Sequence, residues 1–496
     1  MLAGNAAIAQ QTPVPGVGTG LPNLGDGSDM SPGAERRLGD RIARELYRDP
    51  DYIDDPVIME YVQGIWQPLL AASRLRGELP PELDEAYAWE LLLGKDRTVN
   101  AFALPGAYFG LHLGLVAVVS SRDELASVLA HELSHVTQRH IARVMTRQAN
   151  QAPWVMGAMI LGILAASKSP GAAQAAIVGG QAAAAQSQLN FSRDMEREAD
   201  RVGYGVMSQA GYAPQAFVSM FEKLQQASRL NDAGGFPYLR SHPLTTERMA
   251  DMQARISADT SGSAPVLTAE HAMVSARARV LANGQVDALR IWAEEADPAR
   301  LARLVPTAQS GVLYGAALAA GKLREFAAAQ ALLARLRNVT STDPAATRLA
   351  GLLGAELALM QGQPVAALAA LQGAPDAGRA ALFLRAQASI QARQVGQAAQ
   401  ATQSLQTWLA DHPRDAQGWQ LLASAYAAQG KTLSAIRAEA EVNVAQLDYG
   451  AALARLKAAQ ELARKGVEAA DHIEASIVDT RTRQVELLVR EQAVER

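Results

Sequence analysis

The strongest chemical signal in the chain is the run His131-Glu132-Leu133-Ser134-His135. Two histidines four residues apart share one face of an α-helix, so each imidazole can offer a ring nitrogen to the same metal ion. Glu132 then stands beside that metal, placed to take a proton from water. The pattern predicts a zinc site with its own general base, and such a site needs a third protein ligand. His140 follows His135 by five residues rather than six, with no glycine to turn the chain back, so it reads as a solvent-side or helix-end histidine. The alternative is a carboxylate from a later helix. Residues 192–203, SRDMEREADRVG, offer Glu196 and Asp200 on one face, while Glu198 points elsewhere. We assign Glu196 to the metal and Asp200 to a supporting place, orienting a ligand histidine or assisting proton transfer.

These residues need rigid carriers. Ser121 and Glu124 have the form of a capping box, which predicts a helix that runs past Arg143 with Leu125, Val128, Leu129, Leu133 and Val136 in apolar register. Ser31-Pro32 predicts an earlier capped helix, and a helix from residue 192 should end near Gly211. Short apolar runs at 87–93 and 99–120, broken by Pro105-Gly106, predict a small sheet. Between the histidines and Glu196 lies an apolar insertion, 152–186, whose residues 152–166 read APWVMGAMILGILAA. A bilayer span needs about 20 apolar residues, so this run is too short to cross unaided. It fits a helix pair packed near the cleft, or an apolar surface in peripheral contact with a membrane or a partner barrel.

At 496 residues the chain is long enough for two domains. A formal net charge of −4 gives no reason to expect a nucleic-acid partner, and the absence of cysteine excludes disulfides and thiolate metal sites. Residues 257–265, SADTSGSAP, have linker composition. Beyond them Gly362, Gly396 and Gly430 recur every 34 residues, as do Ala367, Ala401 and Ala435. The unit that starts at Trp419, with Leu422, Ala423, Tyr426, Gly430 and Ala435, resembles the tetratricopeptide pattern of paired helices. Such solenoids serve as docking surfaces. The expected architecture is therefore mainly α: an α+β catalytic domain at 34–256 with a small sheet, then an α-helical repeat solenoid at 266–496. Ala7-Ile8-Ala9 reads as the tail of a truncated secretory signal, and 1–33 as that remnant with a flexible leader.

HELSHVTQRH, the ExxAD of Glu196 to Asp200, and Asn100-Ala101-Phe102-Ala103-Leu104-Pro105-Gly106 together resemble the gluzincin family of the CAAX prenyl protease and the HtpX heat-shock protease. The specific motifs cover residues 100–248. A catalytic domain without long spans, followed by tetratricopeptide repeats, is most similar to the periplasmic β-barrel assembly-enhancing proteases of Gram-negative bacteria. The resemblance implies one zinc per chain on His131, His135 and Glu196, with Glu132 as base and Asp200 as proton donor. It departs at Ala107, where the family often has a second glycine. Ser241-His242-Pro243 resembles a family segment whose histidine can approach the metal. His242 is thus expected to guard the fourth zinc position, with Arg248 fixing the loop or polarising a carbonyl. Asn100, Ala101, Phe102 and Ala103 are expected to form an edge strand to which an extended substrate adds by main-chain hydrogen bonds.

Implied clients are unfolded or stalled outer-membrane β-barrel proteins, and the implied partner of the repeats is the barrel-assembly machinery. A rival reading is a chaperone or adaptor that binds precursors through its repeats and keeps a latent or structural zinc.

Overall fold

The structure, a computed structural model, describes residues 30–147, 193–230, 237–258, 266–372, 378–464 and 472–494. Most of the leader, the apolar insertion with its 152–166 run, and most of the linker lie outside the described residues. No helix among the described residues is long and apolar enough to cross a membrane.

Helix α1 (Pro32–Tyr47) starts where the sequence places it: the Ser31 side chain accepts from Ala34 N–H and Pro32 opens the first turn. Strand β1 (Tyr52–Ile53) and helix α2 (Pro56–Leu75) follow, the latter capped by Asp55. After the short helix α3 (Pro81–Ala86) come β2 (Glu90–Gly94), β3 (Ala101–Leu104) and β4 (Tyr108–His112). They form a four-stranded sheet in the order β1-β2-β4-β3, with β2 and β4 parallel and the other pairs antiparallel. Between β3 and β4 the backbone turns left-handed at Gly106 (φ 70°) and at Ala107 (φ 60°). Ala107 therefore occupies a conformation that costs a residue with a Cβ about 1 kcal/mol. Residues 113–118, read from sequence as sheet, form the buried helix α4 (Leu113–Val118). An all-apolar run lacks the period that separates strand from helix.

Helix α5 (Arg122–Thr137) carries the HExxH run and is buried from Glu124 to Thr137. Ser121 Oγ accepts from Glu124 N–H at 3.1 Å, and Glu124 Oε2 accepts from Ser120 N–H at 2.6 Å, one residue earlier than an ideal capping box. The expected run past Arg143 is not continuous. The helix breaks at Gln138-Arg139, where Arg139 has φ 52°, and restarts as α6 (His140–Arg147). Helix α7 (Arg193–Gln209) lies against α5, and Gly203 is the point of closest approach: a Cβ there would sit 3.1 Å from Ala130 O. Helices α8 (Gln215–Leu230), α9 (Tyr238–Ser241) and α10 (Thr246–Ala258) complete this half.

The C-terminal half is helical throughout its described residues. The pairs Pro344–Met360 with Pro364–Ala370, Arg379–Gln391 with Val395–Asp411, and Ala416–Ala428 with Thr432–Ala445 embody the repeat. Gly362 (φ 70°) and Gly430 (φ 72°) make the inter-helix turns, but Gly396 does not. In the middle pair the turn comes three residues early, at Arg393 (φ 54°), so Gly396 falls inside the second helix. Ala398, rather than Ala401, then holds the place of Ala367 and Ala435 near the helix start.

The linker at 257–265 separates the halves in sequence only. The largest apolar cluster of the described residues runs across it, from Val57 to Ala388. Polar contacts cross the same boundary: Tyr61 Oη meets His271 Nδ1 at 2.7 Å, and His271 Nε2 lies 2.9 Å from Val119 O. Arg277 donates to Asp55 at 2.7 and 2.8 Å and to Glu356 at 2.7 Å.

Candidate metal centre

Four elements build the cluster at the HExxH run. Helix α5 presents His131, Glu132 and His135; α7 brings Glu196 and Asp200; the segment after α9 brings His242, and α10 brings Arg248. All seven side chains are buried, with relative exposure of 3% or less. His131 Nε2 and His135 Nε2 converge to 3.0 Å. Glu196 Oε1 lies 3.5 Å from His135 Nε2, and Glu196 Oε2 lies 3.5 Å from His131 Nε2. His242 Nδ1 completes the ring at 3.3 Å from His131 Nε2 and 3.2 Å from Glu196 Oε1. One ligand atom from each of these four residues falls within 4.8 Å of all the others.

The surroundings orient the cluster. Asp200 Oδ1 is 2.9 Å from His131 Nδ1, close but off the line of a good hydrogen bond. Arg248 holds Asp200 by two donors at 2.6 and 2.8 Å, contacts Glu196 Oε2 at 2.8 Å, and donates to Pro243 O at 2.9 Å. It thus fixes the loop that carries His242. The Tyr238 ring stacks on His242 with centroids 4.7 Å apart. Sequence reasoning missed Tyr238, because nothing local distinguishes a tyrosine about one turn before His242.

The electrostatics favour a cation. Burial pushes the Glu196 carboxyl up, but His242, His131 and His135 outweigh it and hold it well below the usual carboxylate range. Burial opposes Asp200 in the same way, and Arg248 and then His131 keep it low. Burial pulls the His131 imidazole down, yet Asp200 and Glu196 push it up to about 9. His135 goes the other way: burial takes it well below its ordinary value, with Glu196 opposing and His131 adding to the fall. Both oxygens of Glu132 are buried and accept no hydrogen bond, while Glu196 Oε2 faces the Arg248 guanidinium at 2.8 Å. Two imidazole nitrogens and the Glu196 carboxylate beside such orphaned acceptors are the donor set of a catalytic metal site, and they fit a divalent cation with water next to it.

One expectation is corrected, in that His140 stands at a helix end but does not face solvent. Its side chain is fully buried, with Nδ1 at 2.8 Å from His135 Nδ1 and Nε2 at 3.1 Å from Glu198 Oε2. Glu198 points away from the metal cluster as read, but toward this histidine and Arg143. The break at Arg139, unseen in the sequence, turns His140 inward.

Strand β3, with Ala101, Phe102 and Ala103, is an edge strand and also the hairpin partner of β4, and α5 packs beside it. The Phe102 ring lies over Gly110, where a Cβ would come within 2.0 Å of it. Asn100 O accepts from His112 N–H at 3.0 Å. Val99 O accepts from Tyr238 N–H at 3.3 Å, so the His242 segment hangs from the start of this edge.

Residues 72–256 match Peptidase family M48. The chain is 31% identical over 482 residues to a Vibrio cholerae protein assigned as a beta-barrel assembly-enhancing protease, covering 95% of this chain and 93% of that one. It is 31% identical over 427 residues to the Beta-barrel assembly-enhancing protease of Yersinia pestis, covering 85% and 83%. A shorter match, 26% identical over 196 residues (38% and 54%), reaches the Mitochondrial metalloendopeptidase OMA1 of Saccharomyces cerevisiae. The donor cluster and the metallopeptidase relatives agree on a metal cofactor. The chain belongs to the family of the beta-barrel assembly-enhancing proteases, with a peptidase family M48 region at residues 72–256.

Proposed function

We propose that the chain is a zinc-dependent endopeptidase of the Gram-negative periplasm that degrades misassembled or stalled outer-membrane β-barrel proteins and assists their assembly. The observation that carries the reading is the convergence of His131, His135 and Glu196 ligand atoms beside the buried carboxylate of Glu132, which accepts no hydrogen bond. Two imidazoles, a carboxylate and a nearby acid match a catalytic zinc site better than a closed structural one. Zinc held there supplies Lewis acidity, lowering the pKa of water and polarising a peptide carbonyl.

The protein's own groups do the rest. Glu132 takes the proton of the attacking water and passes it to the leaving amine. Asp200 orients His131 from the Nδ1 side, and the ionised state that Arg248 imposes on it suits this positioning role rather than proton donation. Arg248 keeps Asp200 ionised, contacts Glu196, and fixes the loop through the Pro243 carbonyl. The edge position of β3 among the described strands supports main-chain pairing with an extended client, which fits unfolded rather than native substrates. His242, in contact with Glu196, His131 and Glu132, is placed to fill a metal position until a client displaces it. The tetratricopeptide-like helices would dock the enzyme on the barrel-assembly machinery. The names of the Vibrio and Yersinia relatives support clients of this class.

The test is Glu132→Gln in the full chain. It should retain metal and fold while hydrolysis of an unfolded barrel protein falls at least about 100-fold, the scale of general-base catalysis. If the variant clears misassembled clients as well as wild type does, the protease reading falls and the chaperone reading takes its place.

A further inference from the structure

The reading above uses His131 with Asp200 and leaves a second chain of polar groups behind His135, buried at His140 and half-buried at Glu198 and Arg143, without a task. His135 Nδ1 and His140 Nδ1 are 2.8 Å apart, His140 Nε2 and Glu198 Oε2 are 3.1 Å apart, and Arg143 Nη1 donates to Glu198 Oε2 at 2.8 Å. We propose that His140 and Glu198 are positioning residues that fix the tautomer and ring angle of His135, so that Nε2 is the nitrogen it offers to the metal. The proposal rests on the metal-binding reading of the cluster.

Two ring nitrogens at hydrogen-bond distance share one proton between them. His135 can present a bare Nε2 only if that proton sits on its own Nδ1, which makes His140 Nδ1 the acceptor. His140 then carries its proton on Nε2 and donates it to Glu198, whose place Arg143 holds. Every member has one consistent polarity from carboxylate to metal. His131 has its carboxylate directly, as Asp200; His135 reaches one through an interposed imidazole. His140 is not a spare ligand, because it sits on the Nδ1 side of His135, opposite the converging Nε2 atoms.

The backbone is built for this contact. On an unbroken helix a residue five positions on would be rotated about 140° from His135. The break at Gln138-Arg139 returns His140 to that side, and Arg139 is held left-handed while its guanidinium reaches Glu35 at 3.0 Å and the Met30 carbonyl.

The experiment compares zinc affinity of the full chain by competition with a chromophoric chelator, alongside thermal unfolding of the metal-free forms. His140→Phe keeps the ring volume and removes the acceptor; zinc affinity should fall about 10- to 100-fold. His140→Asn, whose amide oxygen can accept from His135 Nδ1–H, should recover most of that loss, and Glu198→Gln should lose less than His140→Phe. The proposal is overturned if His140→Phe binds zinc within about threefold of wild type. It is also overturned if His140→Asn is as weak as His140→Phe while both melt lower by the same amount, the signature of a packing role. A wild-type chain that binds no zinc overturns the metal reading and the relay together.

Discussion

His131 and His135 sit on one helix face and share one carboxylate, yet their pKa values move in opposite directions. The reason is Asp200, which lies beside His131 but not beside His135. Without metal, His131 therefore keeps its proton up to about pH 9. That proton contributes stability present below the ordinary histidine pKa and lost as pH rises through the folded value. Metal must displace it, so apparent zinc affinity should strengthen by roughly tenfold per pH unit between about pH 6 and 8. Chelator competition across that range checks this, and a flat profile contradicts a protonated His131. His242 gives a second prediction. It touches Glu196 and Glu132 but is carried by a loop rather than by the metal helix. His242→Ala should change the rate of client cleavage and leave bound zinc within about threefold of wild type. Unchanged cleavage of an unfolded client argues against a guarding role.

What was legible in the sequence divides at the level of elements. HExxH and ExxAD could be read because their chemistry is set by the i, i+4 spacing inside one helix, which needs no distant partner. The capping residues Ser31 and Ser121 were legible for the same local reason. The break before His140 was not, because Arg139 adopts φ 52° while paired with Glu35, 104 residues away in sequence. The shifted turn at Arg393 escaped too, since an intact 34-residue period pointed to Gly396. Helix α4 was mistaken for strand where burial on every side erased the period. The approach of α7 to α5 shows what such packing does for the site. Gly203 lets the two backbones meet beside Ala130 and His131, within one turn of Asp200. Gly203→Val would press branched methyl groups on atoms already 3.1 to 3.2 Å from a bare Cβ. It should cost about 1–3 kcal/mol of stability. Because α7 carries Glu196, zinc affinity should fall with it. Urea unfolding and chelator competition on the same sample test both, and a loss of stability with affinity intact would separate the packing from the site.

At the scale of the whole molecule the largest apolar cluster of the described residues is shared by the catalytic half and the first repeat helices, while the later repeat helices pack in clusters of their own. Arg277 is the buried charge at the junction of the two halves, bridging Asp55 at the start of α2 and Glu356 in the Pro344–Met360 helix. Burial alone would raise the Asp55 carboxyl; Arg277, with the Ile58 N–H, outweighs it and holds the carboxyl below the usual range. A depressed carboxylate stabilises the fold above its unfolded pKa of about 3.9, and that contribution is lost as pH falls through the folded value. Arg277→Met leaves Asp55 and Glu356 without their shared cation, which should cost about 3–5 kcal/mol at neutral pH. In that variant Asp55 takes a proton more readily, so acid relieves the penalty instead of adding to it. The stability difference between wild type and Arg277→Met should therefore shrink as pH is lowered from 7 toward about 4. Denaturant unfolding at several pH values reads this directly. A difference that stays constant with pH would mean that packing of the arginine stem, not its charge, joins the two halves.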